Sequence, residues 1–238
     1  MRLIALMSCF LVLATGVIAD GYRDFMSADG KAIRGRILSF DNRRDAVTIE
    51  RDNRRKATVP VSVFSEADQV YIREWGLLEG FRSESAFRVT CSKKKTNQRK
   101  DENDAFQRKY EHFVYEIEFE NRNESDIGPM RVEYKIFYEQ EENNSTTKKV
   151  DTHQRTLKDE ITEVTVPAKA KISRTTKEVV LEEFEFNTSN YYVPGGDPES
   201  TGGELLGIWI RLIVKLESGN EVIRDVYSPS SIAGKYTW

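Results

Sequence analysis

The chain has 238 residues, and 36 Lys and Arg against 39 Asp and Glu give it a formal net charge of −3 at pH 7. The chain as a whole therefore has no excess of positive charge. Two histidines and two cysteines, with no HExxH, paired CxxC or GxSxG motif, argue against zinc and serine-hydrolase chemistry. We therefore expect a protein that is not an enzyme and that has no metal and no cofactor.

The first 19 residues, MRLIALMSCFLVLATGVIA, form an apolar run whose one charge is at Arg2. The run ends at Ala19 before a polar chain, which is typical of a secretory signal peptide. An uncleaved anchor and lipidation at Cys9 are the alternatives. We expect cleavage after Ala19, a secreted or periplasmic location, and no transmembrane segment in the mature chain.

Cleavage after Ala19 would leave Cys91 as the remaining cysteine, so that no disulfide could form within the chain. Cys91 alternates with Phe87 and Val89 in an extended run. This pattern predicts a buried and unreactive thiol.

Residues 20–76 hold several short runs with strand periodicity, joined by tight turns such as Asp29-Gly30. These runs are Tyr22 to Met26, Lys31 to Asp41, Ala46 to Arg51, and the pair Ala57 and Val59. A flat sheet of so few strands cannot cover both faces, so we expect closure into a small barrel. A helix is predicted from Ser65, where a capping box begins, to Trp75-Gly76.

The order of residues in 23–75 resembles the SLA homology domain of endocytic adaptor proteins. The likeness rests on Arg23-Asp24-Phe25, Asp29-Gly30-Lys31, Val47-Thr48-Ile49, Val59-Pro60 and Phe64-Ser65-Glu66-Ala67-Asp68-Gln69. The resemblance implies a Src-homology-3-like barrel with an added helix, in a family whose eukaryotic members bind Asn-Pro-Phe-x-Asp peptides. The chain departs from that family around Asn53-Arg54, which replace the usual glycine of the last hairpin. We expect Ser65, Asp68 and Gln69 to cap and pack the helix rather than to bind a peptide.

A group of basic residues crowds into the same segment, and it includes the candidate binding residues Arg34 and Arg36. The other members are Arg43, Arg44, Arg51, Arg54, Arg55 and Lys56. A solvated rim, or a surface that faces the acidic second part of the chain, is the favoured interpretation. A polyanion-binding surface is the alternative.

Gly76 and Gly80 lie close together after the predicted helix. Residues 77–84 are therefore predicted to form a short linker before a domain at residues 85–238. Alternating apolar positions in that domain predict strands with one buried face. The runs are Phe87 to Lys93, Phe113 to Phe119, Val132 to Tyr138, Ile161 to Val166, Ile172 to Thr176, Val179 to Phe186, Leu205 to Leu216 and Glu221 to Tyr227. Seven or eight such strands indicate an immunoglobulin-like antiparallel β-sandwich.

Two charged stretches, 93–105 and 139–151, interrupt these strands and are predicted to be solvated loops. Within Leu205 to Leu216, Ile208 and Ile210 belong to the core face, which leaves Trp209 and Arg211 on the opposite face. These two residues, with Tyr191 and Tyr192, are candidates for stacking on a sugar or anchoring a partner. The alternative is that other parts of the chain, such as its C-terminal residues 235–238, cover them.

The sequence therefore predicts an exported, mainly β, non-enzymatic protein-interaction protein whose partner is a protein or peptide. A carbohydrate-binding or adhesion protein that acts through the sandwich is the second possibility, with a glycan as its ligand. An enzyme of unfamiliar type is the third. Nucleic acid is not expected as a partner.

Overall fold

The structure is a computed structural model, and it describes residues 21–144, 146–147, 149–186 and 200–238. The predicted signal peptide at 1–19 and the candidates Tyr191 and Tyr192 lie outside the described residues. The chain divides into two compact units. The first comprises the described residues up to Phe40 and Asp45–Trp75, and the second comprises Asp41–Arg44 and Gly76–Trp238.

The described residues form twelve β-strands and one α-helix, which confirms the prediction of a mainly β fold. The helix, α1, spans Glu66–Arg82. The strands are β1 (Arg23–Met26), β2 (Ala32–Asp41), β3 (Ala46–Arg51), β4 (Lys56–Pro60), β5 (Phe87–Glu102), β6 (Phe106–Asn121), β7 (Ile127–Asn143), β8 (Val150–Val166), β9 (Lys171–Thr175), β10 (Val179–Phe186), β11 (Gly203–Lys215) and β12 (Glu221–Ser228).

The first unit is a four-stranded sheet in the order β1-β2-β3-β4. The predicted closure into a barrel is therefore wrong: β1 and β4 form no ladder, and an isolated bridge joins Ser27 to Phe64. The reason is that β4 ends at Pro60, which has no N–H to donate, and residues Val61–Val63 turn into a 3-10 helix. Packing completes the core instead, because Ile72, Tyr71 and Trp75 of α1 lie against the buried face of the sheet.

The start of α1 follows the predicted capping box. The Ser65 hydroxyl accepts a bond from the Asp68 backbone N–H at 3.4 Å, and the Gln69 side chain donates to the Phe64 carbonyl at 2.8 Å. Asp68 is 4 % exposed, and its carboxylate accepts bonds from the Met26 N–H at 2.7 Å and from Arg23 at 2.8 Å. Ser65 and Gln69 thus cap the helix start, as expected, and Asp68 ties it to β1.

The end of α1 differs from the prediction. The helix does not stop at Gly76 but continues to Arg82, so that most of the predicted linker 77–84 is helical. In the second unit, Leu78 and Phe81 of this last part are buried, and a Cβ atom on Gly80 would lie 3.0 Å from the Asn123 side chain. Gly80 therefore allows close packing rather than marking a linker.

The second unit is built from two antiparallel sheets, β12-β11-β7-β8 and β10-β6-β5, with β9 also paired to β6. The predicted alternation on β6 and β7 is confirmed, because the side chains on one face of each strand are buried. These are Phe113, Tyr115, Ile117 and Phe119 on β6, and Val132, Tyr134 and Ile136 on β7. The Tyr134 hydroxyl on β7 accepts a bond from the Lys177 N–H at 2.8 Å. This bond links the sheet that contains β7 to the β9–β10 connection. The arrangement is that of a β-sandwich.

Much of the two charged stretches is strand rather than the predicted loop. Residues 93–102 extend β5, which pairs with β6 over its whole length, and residues 139–143 extend β7, which pairs with β8. Cross-strand ion pairs such as Lys94–Glu116 and Lys95–Glu111 take the place of a buried face in the first of these hairpins.

The two sheets join at one corner of the sandwich. Phe184 on β10 and Thr201 exchange backbone hydrogen bonds of 2.9 Å in both directions, and the Glu141 N–H donates to the Gly202 carbonyl at 2.8 Å. Residues 201–203 therefore lie between β10 and β7, so that these strands flank one continuous surface at the corner.

Candidate functional site

A groove with a volume of about 460 Å³ lies at this corner of the second unit, and we call it the corner groove. Strands β6, β7, β8 and β10 all contribute side chains to it. The lining residues are Arg108, Tyr110, Gln140, Glu141, Glu142, Asn143, Arg155, Val180, Glu182, Phe184 and Thr201. The volume is within the range of about 300–1,000 Å³ that is usual for sites of drug-sized ligands.

The floor of the groove is rigidly held by Gln140, which is 8 % exposed. Its amide nitrogen donates to the carbonyls of Glu182 at 2.7 Å and Gly202 at 3.1 Å, and its amide oxygen accepts a bond from the Glu182 N–H at 3.0 Å. The Glu141 carboxylate accepts a bond from the Gly202 N–H at 3.0 Å. The groove is therefore shaped before any ligand arrives, because partly buried hydrogen bonds cross-link its backbone walls.

Aromatic rings and guanidinium groups alternate along the β6 and β10 side. The Arg108 guanidinium lies 5.5 Å from the centre of the Phe184 ring, and the Phe184 and Phe106 ring centres are 5.8 Å apart. The Arg99 guanidinium lies 4.5 Å from the centre of the Tyr110 ring. Such cation–π contacts hold the rings in place at a surface that water still reaches.

The charges of the groove occur as pairs of opposite sign. Arg108 lies 3.6 Å from Glu182, and their side chains are 47 % and 41 % exposed. Arg155 forms an ion pair with Glu142, and both side chains are about half exposed. Exposed pairs of this kind contribute little to stability, so they remain available to a charged partner.

The structure places Trp209 and Arg211 outside the groove, on β11 in the β12-β11-β7-β8 sheet. There Trp209 is 8 % exposed and is covered by the chain's own C-terminal residues. We call this the C-terminal cluster, and its members are Phe137, Trp209, Tyr227, Ile232, Tyr236 and Trp238. On sequence grounds, coverage by residues 235–238 was the alternative to an exposed binding residue. The structure shows this alternative for Trp209.

Contacts within the C-terminal cluster are close. Trp238 meets Trp209 edge to face at 4.9 Å, and Tyr236 stacks on Phe137 at 3.8 Å. Arg211 pairs with Asp225 at 2.9 Å and lies 4.1 Å from the centre of the Trp238 ring. The Trp209 indole N–H is buried and has no hydrogen-bond partner among the described residues.

Arg34 and Arg36 lie in the first unit, on β2. Arg36 donates two hydrogen bonds, of 3.0 and 2.8 Å, to one oxygen of Glu50, whereas Arg34 lies 3.6 Å from Asp24 at an exposed position. Arg36 is thus engaged in the sheet.

Sequence reasoning missed the residues that line the groove. Arg108 and Tyr110 precede the predicted strand on β6, and Phe184 was placed on a strand without a role. The alternation of an aromatic residue with Arg at Phe106, Arg108 and Tyr110 could have indicated a half-exposed surface. The pairing of β10 with Thr201, which creates the corner, has no signal in the sequence.

Cys91 and the acidic and histidine side chains are the other groups with the chemistry of a site. Burial raises the pKa of the Cys91 thiol to about 12, which keeps it protonated and unreactive at neutral pH. The described residues contain no group of His, Cys, Asp and Glu that could hold a metal ion. Within the same residues, no helix combines the length and the apolar character needed to cross a membrane.

Comparison with known proteins identifies no family. No family model matches the chain, and no curated protein matches it. Among solved structures, the X-ray structure of Northeast Structural Genomics Consortium target SoR45 is similar at 13 % identity and a TM-score of 0.28, over 60 % of this chain and 86 % of that one. A likeness at this level carries no argument about function.

Proposed function

We propose that the protein is an exported, non-enzymatic interaction protein and that the corner groove binds a partner protein. The observation that carries this proposal is the composition of the groove: two arginines, Tyr110 and Phe184 stand on a prearranged floor and remain accessible to solvent. Arginine and large aromatic side chains dominate the binding energy of protein interfaces.

The paired charges favour a polypeptide as the partner. Arg108 and Arg155 offer donors, and Glu142 and Glu182 offer acceptors, on opposite sides of one groove. A polypeptide carries both kinds of group and could replace each internal pair by a complementary one, which gives specificity of orientation. A ligand with charges of only one sign could pair with the two arginines or with the two glutamates, but not with both.

A carbohydrate ligand is the second candidate. The half-buried rings of Tyr110 and Phe184 beside the exposed carboxylates of Glu142 and Glu182 favour it, because sugars stack on aromatic rings and bind carboxylates. Arg99 counts against it. Its guanidinium already lies over the Tyr110 ring at 4.5 Å, so a sugar would have to displace a cation–π contact.

In the first unit, the polar residues at the helix start have a structural role. Asp68 and Gln69, which stand in the part of the chain that resembles the SLA homology domain, are occupied in holding the helix start. We therefore assign the partner-binding role to the second unit. We also propose that residues 1–19 act as a signal peptide that directs export.

Site-specific photo-cross-linking tests this assignment. A benzoylphenylalanine residue would replace either Val180, which lines the groove and is 44 % exposed, or Ile223 on β12, which is 52 % exposed and serves as the matched control. Irradiation of cells that produce each variant should give a discrete protein adduct at position 180 and none at position 223.

Two results would overturn the assignment. One is an absence of adducts at both positions, and the other is the same set of adducts at both. A glycan array separates the second candidate: glycan binding by the wild type that is lost in Tyr110→Ala would favour the carbohydrate ligand.

A further inference from the structure

The β3–β4 hairpin of the first unit carries an unpaired set of positive charges, at Arg51, Arg54, Arg55 and Lys56. All four side chains are exposed, and none has an ion-pair partner within the part of the chain that the structure describes. Every other basic residue between 21 and 75 has a carboxylate within ion-pair distance. Those residues are Arg23, Lys31, Arg34, Arg36, Arg43, Arg44 and Arg73.

The turn of this hairpin brings the charges together. The Arg54 N–H donates to the Arg51 carbonyl at 2.8 Å, and the Arg51 N–H donates to the Arg55 carbonyl at 2.9 Å. These bonds define a three-residue loop whose last residue, Arg54, has a φ of 63°. That position favours glycine, because a Cβ atom strains the left-handed conformation.

Arg54 therefore occupies a position where its own backbone is strained and where it makes no ion pair. Among the described residues, no ion pair of the Arg54 guanidinium offsets this strain. Backbone strain that the fold does not need is more often found at functional positions.

We propose that this hairpin, residues 51–56, binds the anionic phospholipid head groups of a membrane surface. Guanidinium groups match phosphate geometry and stay charged at every physiological pH. The hairpin adds three net positive charges, because Asp52 offsets one of the four basic side chains. This site is separate from the corner groove and does not depend on what the groove binds.

The shape of the hairpin favours a surface over a small anion. The four side chains are exposed and project from a two-stranded turn. Aromatic residues, which single-stranded nucleic acids require for base stacking, do not interrupt the segment Arg51 to Lys56. A flat array of phosphates contacts several such side chains at once.

Each basic residue near an anionic bilayer increases partitioning about fivefold, and salt weakens the attraction. We therefore expect the purified protein to bind vesicles with about 30 % phosphatidylglycerol but not vesicles of phosphatidylcholine alone, and to lose most of this binding between about 0.02 M and 0.15 M salt. Arg51→Gln and Arg55→Gln should each lower the partition coefficient about fivefold.

Arg54→Gly gives the sharpest test, because binding and stability should change in opposite directions. The variant should lower vesicle binding about fivefold and raise the urea concentration at the midpoint of unfolding. The control is Arg44→Gln, which removes an exposed cation from the β2–β3 turn, where Asp41 is its partner. It should leave binding within about twofold of the wild type.

Three outcomes would overturn the proposal. The first is equal loss of binding in Arg44→Gln and the hairpin variants, which would indicate a general charge effect. The second is competition by millimolar inorganic phosphate, which would indicate a small-anion site. The third is binding to anionic polysaccharide or nucleic acid without binding to the vesicles.

Discussion

The corner groove and the C-terminal cluster are built from the same kinds of residue, aromatic rings beside arginines, yet the chain covers one and leaves the other accessible. In the cluster, Tyr236 and Trp238 lie over Phe137 and Trp209. In the groove, Arg108 and Val180 remain exposed at similar levels, 47 % for the Arg108 side chain and 44 % for Val180.

This difference separates a structural use of such residues from a binding use. Buried residues contribute to the stability of the fold. Residues that are held in place but exposed contribute little to stability, and they can bind a partner. Trp209 was one of the candidate binding residues on sequence grounds, but its environment assigns it to stability. Substitutions in the two regions test whether the C-terminal cluster stabilises the fold and the corner groove does not.

The largest effect is expected from Trp209→Ala. The substitution empties a site between Tyr227 at 5.1 Å and Trp238 at 4.9 Å, and it should lower the free energy of unfolding by about 3 kcal/mol. Urea unfolding followed by circular dichroism measures the change. Trp209→Phe is the control, since it keeps a ring and removes the unpaired indole N–H, and it should cost less than about 1 kcal/mol.

Tyr236→Ala should have an intermediate effect. The ring stacks on Phe137 at 3.8 Å, so its loss should lower the free energy of unfolding by about 1–2 kcal/mol. The same urea titration applies. An unchanged midpoint would mean that the C-terminal residues do not cover the cluster in solution.

Tyr110→Ala in the groove should cost less than about 1 kcal/mol, because the ring stands on a sheet surface rather than in the core. A loss as large as that of Trp209→Ala would show that the groove is a structural cluster too, and the comparison between the two regions would fail.

The smallest effect concerns pH. Hydrogen bonds from Lys95 and then Lys109 lower the pKa of Glu111 from its usual 4.5. The stabilisation from this carboxylate is therefore present above pH 4.5 and is lost as the pH falls through the lower folded value. Amide hydrogen exchange, corrected for its intrinsic pH dependence, measures this loss. Protection at residues 107–113 should fall in acid, whereas protection at residues 207–213, around Trp209 of the cluster, should not. Equal loss in both regions would contradict this.

How far the sequence predicts the fold depends on what stabilises each element. The strands with a buried face, such as Phe113 to Phe119, were predicted because the alternation of apolar residues is visible in the chain. The extensions of β5 and β7 were missed, because ion pairs across strands stabilise them and a charged strand has the composition of a loop. Lys95 and Glu111 meet only once the register is known.

The errors at the helix and at the first sheet have the same origin. Gly80 was interpreted as part of a linker, although it is needed because Asn123 packs closely on it. The 3-10 turn that follows Pro60 and leaves the first sheet open was not predicted. Such contacts between distant residues also create the corner groove, and for this reason no local pattern predicted it.

One comparison of cross-linking yields tests the central claim, that the groove binds the partner and the cluster does not. With the cross-linker at position 180, the yield of partner adduct would be measured in Arg108→Glu and in Tyr236→Ala, each relative to the otherwise unchanged chain. The account predicts that Arg108→Glu lowers the yield at least about tenfold, the effect of losing about 1.4 kcal/mol of binding energy, and that Tyr236→Ala leaves it unchanged. A loss in Tyr236→Ala with full yield in Arg108→Glu would contradict the account and move the binding site to the C-terminal cluster.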